Sequence, residues 1–129
     1  MTIISFTEKD LLRGKIVEPA WYRVKIDSVE SGLSKDQGST NYTCEGTIVR
    51  NADNGSEEFT GVPIQCRFNS KAMGFAKGYF EALGVEIKAD QRYDLKASEG
   101  EVIDVFVENG TYEGRPKNEV NHKYRKPRD

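Results

Sequence analysis

The sequence predicts a mainly β domain with two helices, and three observations carry that prediction. Apolar residues alternate with polar ones over five short segments, 21–29, 42–50, 59–68, 101–108 and 117–125. Clusters of Gly, Asn, Asp and Ser separate them. One segment with helical spacing, 71–83, falls between the third and fourth strands. Five strands with one helix in that position is the order of the OB-fold, a five-stranded, partly open Greek-key barrel whose open face and loops commonly bind oligonucleotides or oligosaccharides.

Each element has a local reason. Thr7-Glu8-Lys9-Asp10 resembles a capping box with Asp in the third position, and Gly14 offers a stop, so a short N-terminal helix is expected before Pro19. In the first strand Tyr22, Val24 and Ile26 share one face, and Trp21, Arg23, Lys25 and Asp27 the other. Residues 31–41, SGLSKDQGSTN, read as a polar loop that carries Lys35. Tyr42, Cys44 and Ile48 of the second strand point inward, and Gly46 permits a sharp bend. Val62, Ile64, Cys66 and Phe68 form the inner face of the third strand; Phe59, Pro63, Gln65 and Arg67 form its outer face.

In the central helix Ser70 is expected as the cap, Ala72, Met73, Ala76, Tyr79, Phe80 and Leu83 recur at helical spacing, and Gly84 follows where the helix stops. It would plug one end of the barrel. Residues 85–100 carry no regular pattern, with Tyr93 and Leu95 expected under the barrel. In the fourth strand Ile103, Val105 and Val107 oppose Val102, Asp104 and Phe106. ENGTYEGRP supplies a turn, and the fifth strand turns Val120 and Tyr124 inward and Lys117, Glu119, Asn121, Lys123 and Arg125 outward.

A length of 129 residues is that of one domain able to bury a core unaided, read here as an N-terminal extension (1–18), a barrel (19–125) and a basic tail (126–129). No run approaches the roughly 20 apolar residues of a membrane span, and no basic leader precedes an apolar core, so a cytoplasmic location in the host cell is expected, without membrane contact. The two cysteines, Cys44 and Cys66, read as buried thiols, and the three N-x-S/T matches as turn chemistry. Net charge is −2, yet Arg115, Lys117, Lys123, Arg125, Lys126 and Arg128 make the C-terminal stretch basic. Acid collects at Glu57, Glu58, Glu86, Glu99 and Glu101, which predicts a bipolar surface.

Catalytic patterns are missing. His122 is the sole histidine, there is no G-x-S-x-G elbow and no metal-ligand spacing. Gly74 and Gly78 lie within the helix pattern rather than in a phosphate-cradling loop. Neither an enzyme nor a cofactor is expected.

The positive signal is a set of aromatic and basic residues on the non-core face and in the loops: Trp21, Arg23, Lys25, Lys35, Arg67, Phe106, Tyr112, Arg115, Lys117, Lys123 and Arg125. Single strands are held without sequence preference by stacking bases on aromatic rings while Lys and Arg follow the phosphates. The bland alternative is that outward aromatics pack under loops and that the basic strand is a solvated edge.

WYRVKI, YTCEGTIV, QCRF, AMGFAKGYFEALG and VFVENGTYEGRPKNEV, with Tyr112, Gly114 and Asn118 in a Y-x-G-x-x-x-N hairpin, together resemble a family of phage-encoded single-stranded DNA-binding proteins long catalogued as a domain of unknown function. The resemblance implies an OB-fold that coats single-stranded DNA in phage replication or recombination, without catalysis. Its partners would be single-stranded DNA and phage or host replication and recombination proteins; RNA as a competing ligand and a homodimer paired through edge strands are left open by the sequence. The ending HKYRKPRD departs from the acidic tail that many such proteins use. The rival expectation is an OB-like protein-interaction module of a phage, an assembly or inhibitor protein.

Overall fold

A computed structural model describes residues 1–128; Asp129, the last residue of the expected basic tail, lies outside the described residues. Five strands, β1 (Ala20–Leu33), β2 (Thr40–Asn51), β3 (Pro63–Asn69), β4 (Val102–Tyr112) and β5 (Arg115–Arg125), form one sheet in the order β3-β2-β1-β4-β5. Every neighbouring pair is antiparallel. The end strands β3 and β5 approach within 8 Å between Cα atoms, so the sheet curls toward closure, but among the described residues no hydrogen-bonded ladder joins them. Two helices accompany the sheet: α1 (Glu8–Leu12) and α2 (Gly74–Ala82). Among the described residues no helix is long and apolar enough to cross a membrane.

Several boundaries differ from the sequence reading, each for a local reason. β1 runs on to Leu33, pairing Ser31, Gly32 and Leu33 with Tyr42, Asn41 and Thr40; both strands project past the core, which is why their ends are polar. The expected 31–41 loop shrinks to 34–39, closed by the Ser34 amide donating to the Ser39 carbonyl (2.9 Å). β3 begins only at Pro63, so Phe59 lies in the preceding turn rather than in the strand. The expected cap Ser70 accepts instead from the Thr40 amide (2.9 Å), and Asn69 accepts from the Lys71 amide (2.9 Å). A 3-10 turn therefore occupies Ser70–Ala72, and the α-helix starts at Gly74.

The helix ends on Gly84, whose φ of +88° only glycine adopts freely. Its amide donates to the Glu81 carbonyl and that of Val85 to the Phe80 carbonyl, a Schellman cap. A second 3-10 turn, Leu95–Ser98, is capped by Asp94 and was not legible in the sequence.

The inner face buries Tyr22, Val24, Ile26, Cys44, Ile48, Ile64, Cys66, Ile103, Val105 and Val107 against Ala76, Tyr79 and Phe80 of α2. Each large side chain moved from water contributes about 1.5–3 kcal/mol, so this cluster supplies the main driving force. Tyr79 ties the helix to the loop beneath: its hydroxyl donates to Ser98 Oγ (2.8 Å), which donates to the Leu95 carbonyl (2.7 Å). Cys44 and Cys66 face each other across β2 and β3 as buried free thiols. Burial pushes the Cys66 thiol up to about 12 and raises that of Cys44, which closes both to thiolate chemistry near neutral pH.

Three irregularities bend the sheet. Between Arg23 and Val24, and again between Ile26 and Ser28, β1 changes register against β2. Gly46 sits opposite the second shift, and a Cβ there would meet Val24 Cγ1 at 2.4 Å and the Lys25 carbonyl oxygen at 2.9 Å. Gly46→Ala is therefore expected to cost about 1–3 kcal/mol by overpacking, read as a lower denaturant midpoint with an unchanged m-value. The third irregularity lies in β5, where Tyr124 pairs Val105 but Val120 pairs Val107, and His122 takes a φ of +58°.

The N-terminal extension is tied to this body. The α1 capping box closes, the Asp10 amide donating to Thr7 Oγ1 (3.1 Å) and the Thr7 amide to Asp10 Oδ2 (2.9 Å). Asn118 then clamps the following segment: its Oδ1 accepts from the Val17 amide (3.0 Å) and its Nδ2 donates to the Lys15 carbonyl (2.8 Å).

Candidate nucleic-acid interface

The eleven residues singled out in the sequence fall into two separate surfaces and two isolated positions. The first surface is the outer face of β1, β4 and β5. Antiparallel register sets Arg23 opposite Asp104 and Asp104 opposite Arg125, while Trp21 sits opposite Phe106. Arg23 is only 6% exposed and Asp104 is fully buried; Arg23 Nε pairs with Asp104 Oδ1 at 3.1 Å. Arg125 takes the other carboxylate oxygen at 3.4 Å and reaches Asp53 at 2.7 Å.

The aromatics of this face are covered as well. The Arg125 guanidinium lies 4.2 Å from the Trp21 ring centroid, and Trp21 meets Phe106 edge to face at 5.5 Å. Lys123 lies over Phe106 at 5.2 Å and pairs with Glu108 at 3.0 Å. Arg23 is thus neutralised and enclosed, with no face for a phosphate. Trp21, Phe106, Lys123 and Arg125 form a cation–π and ion-pair lattice that locks three strands together. Their outward parity reads the same whether they bind ligand or one another.

The second surface is a groove of about 1000 Å³ between β3 and the β4–β5 hairpin. The strands do not stop at ENGTYEGRP: Asn109 pairs Asn118, Gly110 pairs Lys117 and Tyr112 pairs Arg115, leaving a two-residue turn at Glu113 and Gly114. Both turn residues have positive φ, 51° and 77°, as a tight hairpin of this twist requires. The result is an arm that carries Tyr112 at its tip, 62% exposed.

Along this groove Arg67 projects from β3, its Nε held at 3.1 Å by Gln65 Oε1. Arg115 and Lys117 line the arm, and Lys117 Nζ lies 5.9 Å from the Tyr112 ring centroid. Four of the eleven residues, Arg67, Tyr112, Arg115 and Lys117, therefore converge. Glu113 and Glu119 line the same groove, so its positive balance is small. Lys25, exposed on β1, and Lys35, exposed in the 34–39 loop, belong to neither surface.

The groove has a feature the sequence reading missed. The β5 bulge at His122 turns its imidazole onto Phe75 of α2, with ring centroids 4.4 Å apart and planes 18° from parallel. His122 lines the groove, and Phe75 is 55% exposed. Burial lowers the His122 pKa, which favours the neutral ring at neutral pH. Phe75 lies off the buried stripe of α2, and that was the one available signal; the bulge leaves none, because it sets residues 121–123 against Phe106 alone, and two extra residues keep the period-2 parity of Val120 and Tyr124.

Among the described residues no group of three His, Cys, Asp or Glu side chains is placed to hold a metal ion. No protein-family model and no curated protein sequence matches the chain.

Proposed function

We propose that this chain is an OB-fold protein that binds single-stranded DNA without sequence preference and serves phage replication or recombination without catalysis. The strand order β3-β2-β1-β4-β5, with α2 between β3 and β4, fits that fold. The observation that carries the function is the convergence of exposed Tyr112 with Arg67, Arg115 and Lys117 around one open groove. An exposed ring offers stacking that only an unpaired base can use, and three cations along one path supply the phosphate contacts. His122, stacked on Phe75 at the β5 bulge, adds a second aromatic side chain to the same groove.

Chemical-shift mapping of the labelled protein with oligo-dT tests the placement. Binding through the groove perturbs the amides of Arg67, Tyr112, Arg115 and His122 and leaves those of Trp21 and Arg23 nearly still. Perturbation confined to the Trp21–Phe106 face would relocate the site. No perturbation at low salt would instead favour a protein-interaction module.

A further inference from the structure

The chain carries two separate exposed apolar features. One is the N-terminal arm, where Ile3, Ile4 and Phe6 are 82%, 73% and 66% exposed. The other is a groove of about 650 Å³ between α2, the 87–96 segment and the projecting ends of β1 and β2, lined by Tyr42, Phe80, Ile87 and Tyr93. Singly exposed apolar side chains are ordinary on a monomer, whereas contiguous ones mark contact sites.

We propose that the arm of one copy docks in the α2 groove of the next, giving head-to-tail self-association. The root of the arm explains why the partner is another copy. Lys9 within α1 and Arg13 at its C-cap pair with Glu45 (3.8 and 3.4 Å), whose side chain lies on the outer face of β2. Tyr42, in the groove, belongs to the inner face of the same strand, three positions away. A chain's own arm would have to pass around the sheet to reach it, while a neighbour's arm meets it directly.

Charge follows the same direction. Glu8 and Asp10 sit immediately after the arm, in the first turn of α1. Lys77 and Lys88 stand on the groove, and among the described residues neither is ion-paired. Glu30 and Asp94 also line the groove, with the Asp94 side chain engaged in capping the Lys96 amide at 3.0 Å. Because arm and groove are different surfaces, each contact leaves a free groove on one copy and a free arm on the other, so contacts add into a chain or close into a ring, of which reciprocal exchange of arms between two copies is the smallest. The inference is independent of nucleic-acid binding.

Sedimentation velocity on the full chain across a wide concentration range tests it. The wild type is expected to show a concentration-dependent rise in sedimentation coefficient. An arm variant, Ile3→Asp with Ile4→Asp, stays monomeric, and so do two groove variants, Met73→Glu and the pair Lys77→Glu with Lys88→Glu. An equimolar mixture of arm and groove variants recovers one productive contact and stops at a dimer. A wild type that stays monomeric throughout overturns the proposal, as does association that survives the arm variant. Association that needs the arm but is unchanged in both groove variants also overturns it, pointing to arm-on-arm contact.

Discussion

Asp104→Ala is expected to destabilise the fold by about 3–5 kcal/mol, read as a lower denaturant midpoint. The carboxylate is fully buried between two guanidiniums, one itself only 6% exposed. Removing it takes from Arg23 its fully buried carboxylate partner and from Arg125 one of its two, leaving buried guanidinium charge less well compensated beside Trp21. A comparison within the same face isolates burial as the cause. Glu108→Gln breaks the exposed contact to Lys123 and is expected to leave the denaturant midpoint nearly unchanged. If the two substitutions cost the same, the lattice is not the structural element described above.

Tyr112→Ala is expected to weaken binding to oligo-dT by about 1–3 kcal/mol, roughly 5- to 150-fold, the range for loss of one stacked base. Stability should move by less than about 0.5 kcal/mol, because the ring sits at an exposed hairpin tip outside the core. Fluorescence anisotropy and thermal melting on the same preparation separate the two effects. Loss of binding with a parallel loss of stability would mean that the arm supports the fold instead of presenting a ring. Unchanged binding would remove Tyr112 from the interface.

What the sequence made legible was whatever depends on neighbours a few residues away. Alternation placed Tyr22, Val24, Ile26, Ile64, Cys66 and Phe68 inside, and the Thr7–Asp10 capping box marked α1, because both signals are local. Gly46 was recognised as a bend, and its close approach to Val24 supplies the reason. Contacts across large sequence separation were not legible. Arg23 and Asp104 lie 81 positions apart, so an outward arginine looked free until register paired it.

Strand ends were equally opaque. Ser31, Gly32, Asn109 and Gly110 are turn-type residues, yet they pair in projecting ribbons whose exposure tolerates them. That extension builds the arm that brings Tyr112 to the same groove as Arg67. The same difficulty hid Phe75, whose partner His122 is brought round by a bulge.

The most direct test of the central claim is an anisotropy titration of labelled oligo-dT over a series of salt concentrations, with duplex DNA and RNA of matched length as controls. Three groove cations predict a slope of log affinity against log salt of about −2, from roughly 0.7 per neutralised phosphate on a single strand, together with preference for the single strand over the duplex. No binding to oligo-dT at low salt, or equal and salt-insensitive binding to all three nucleic acids, would contradict the account.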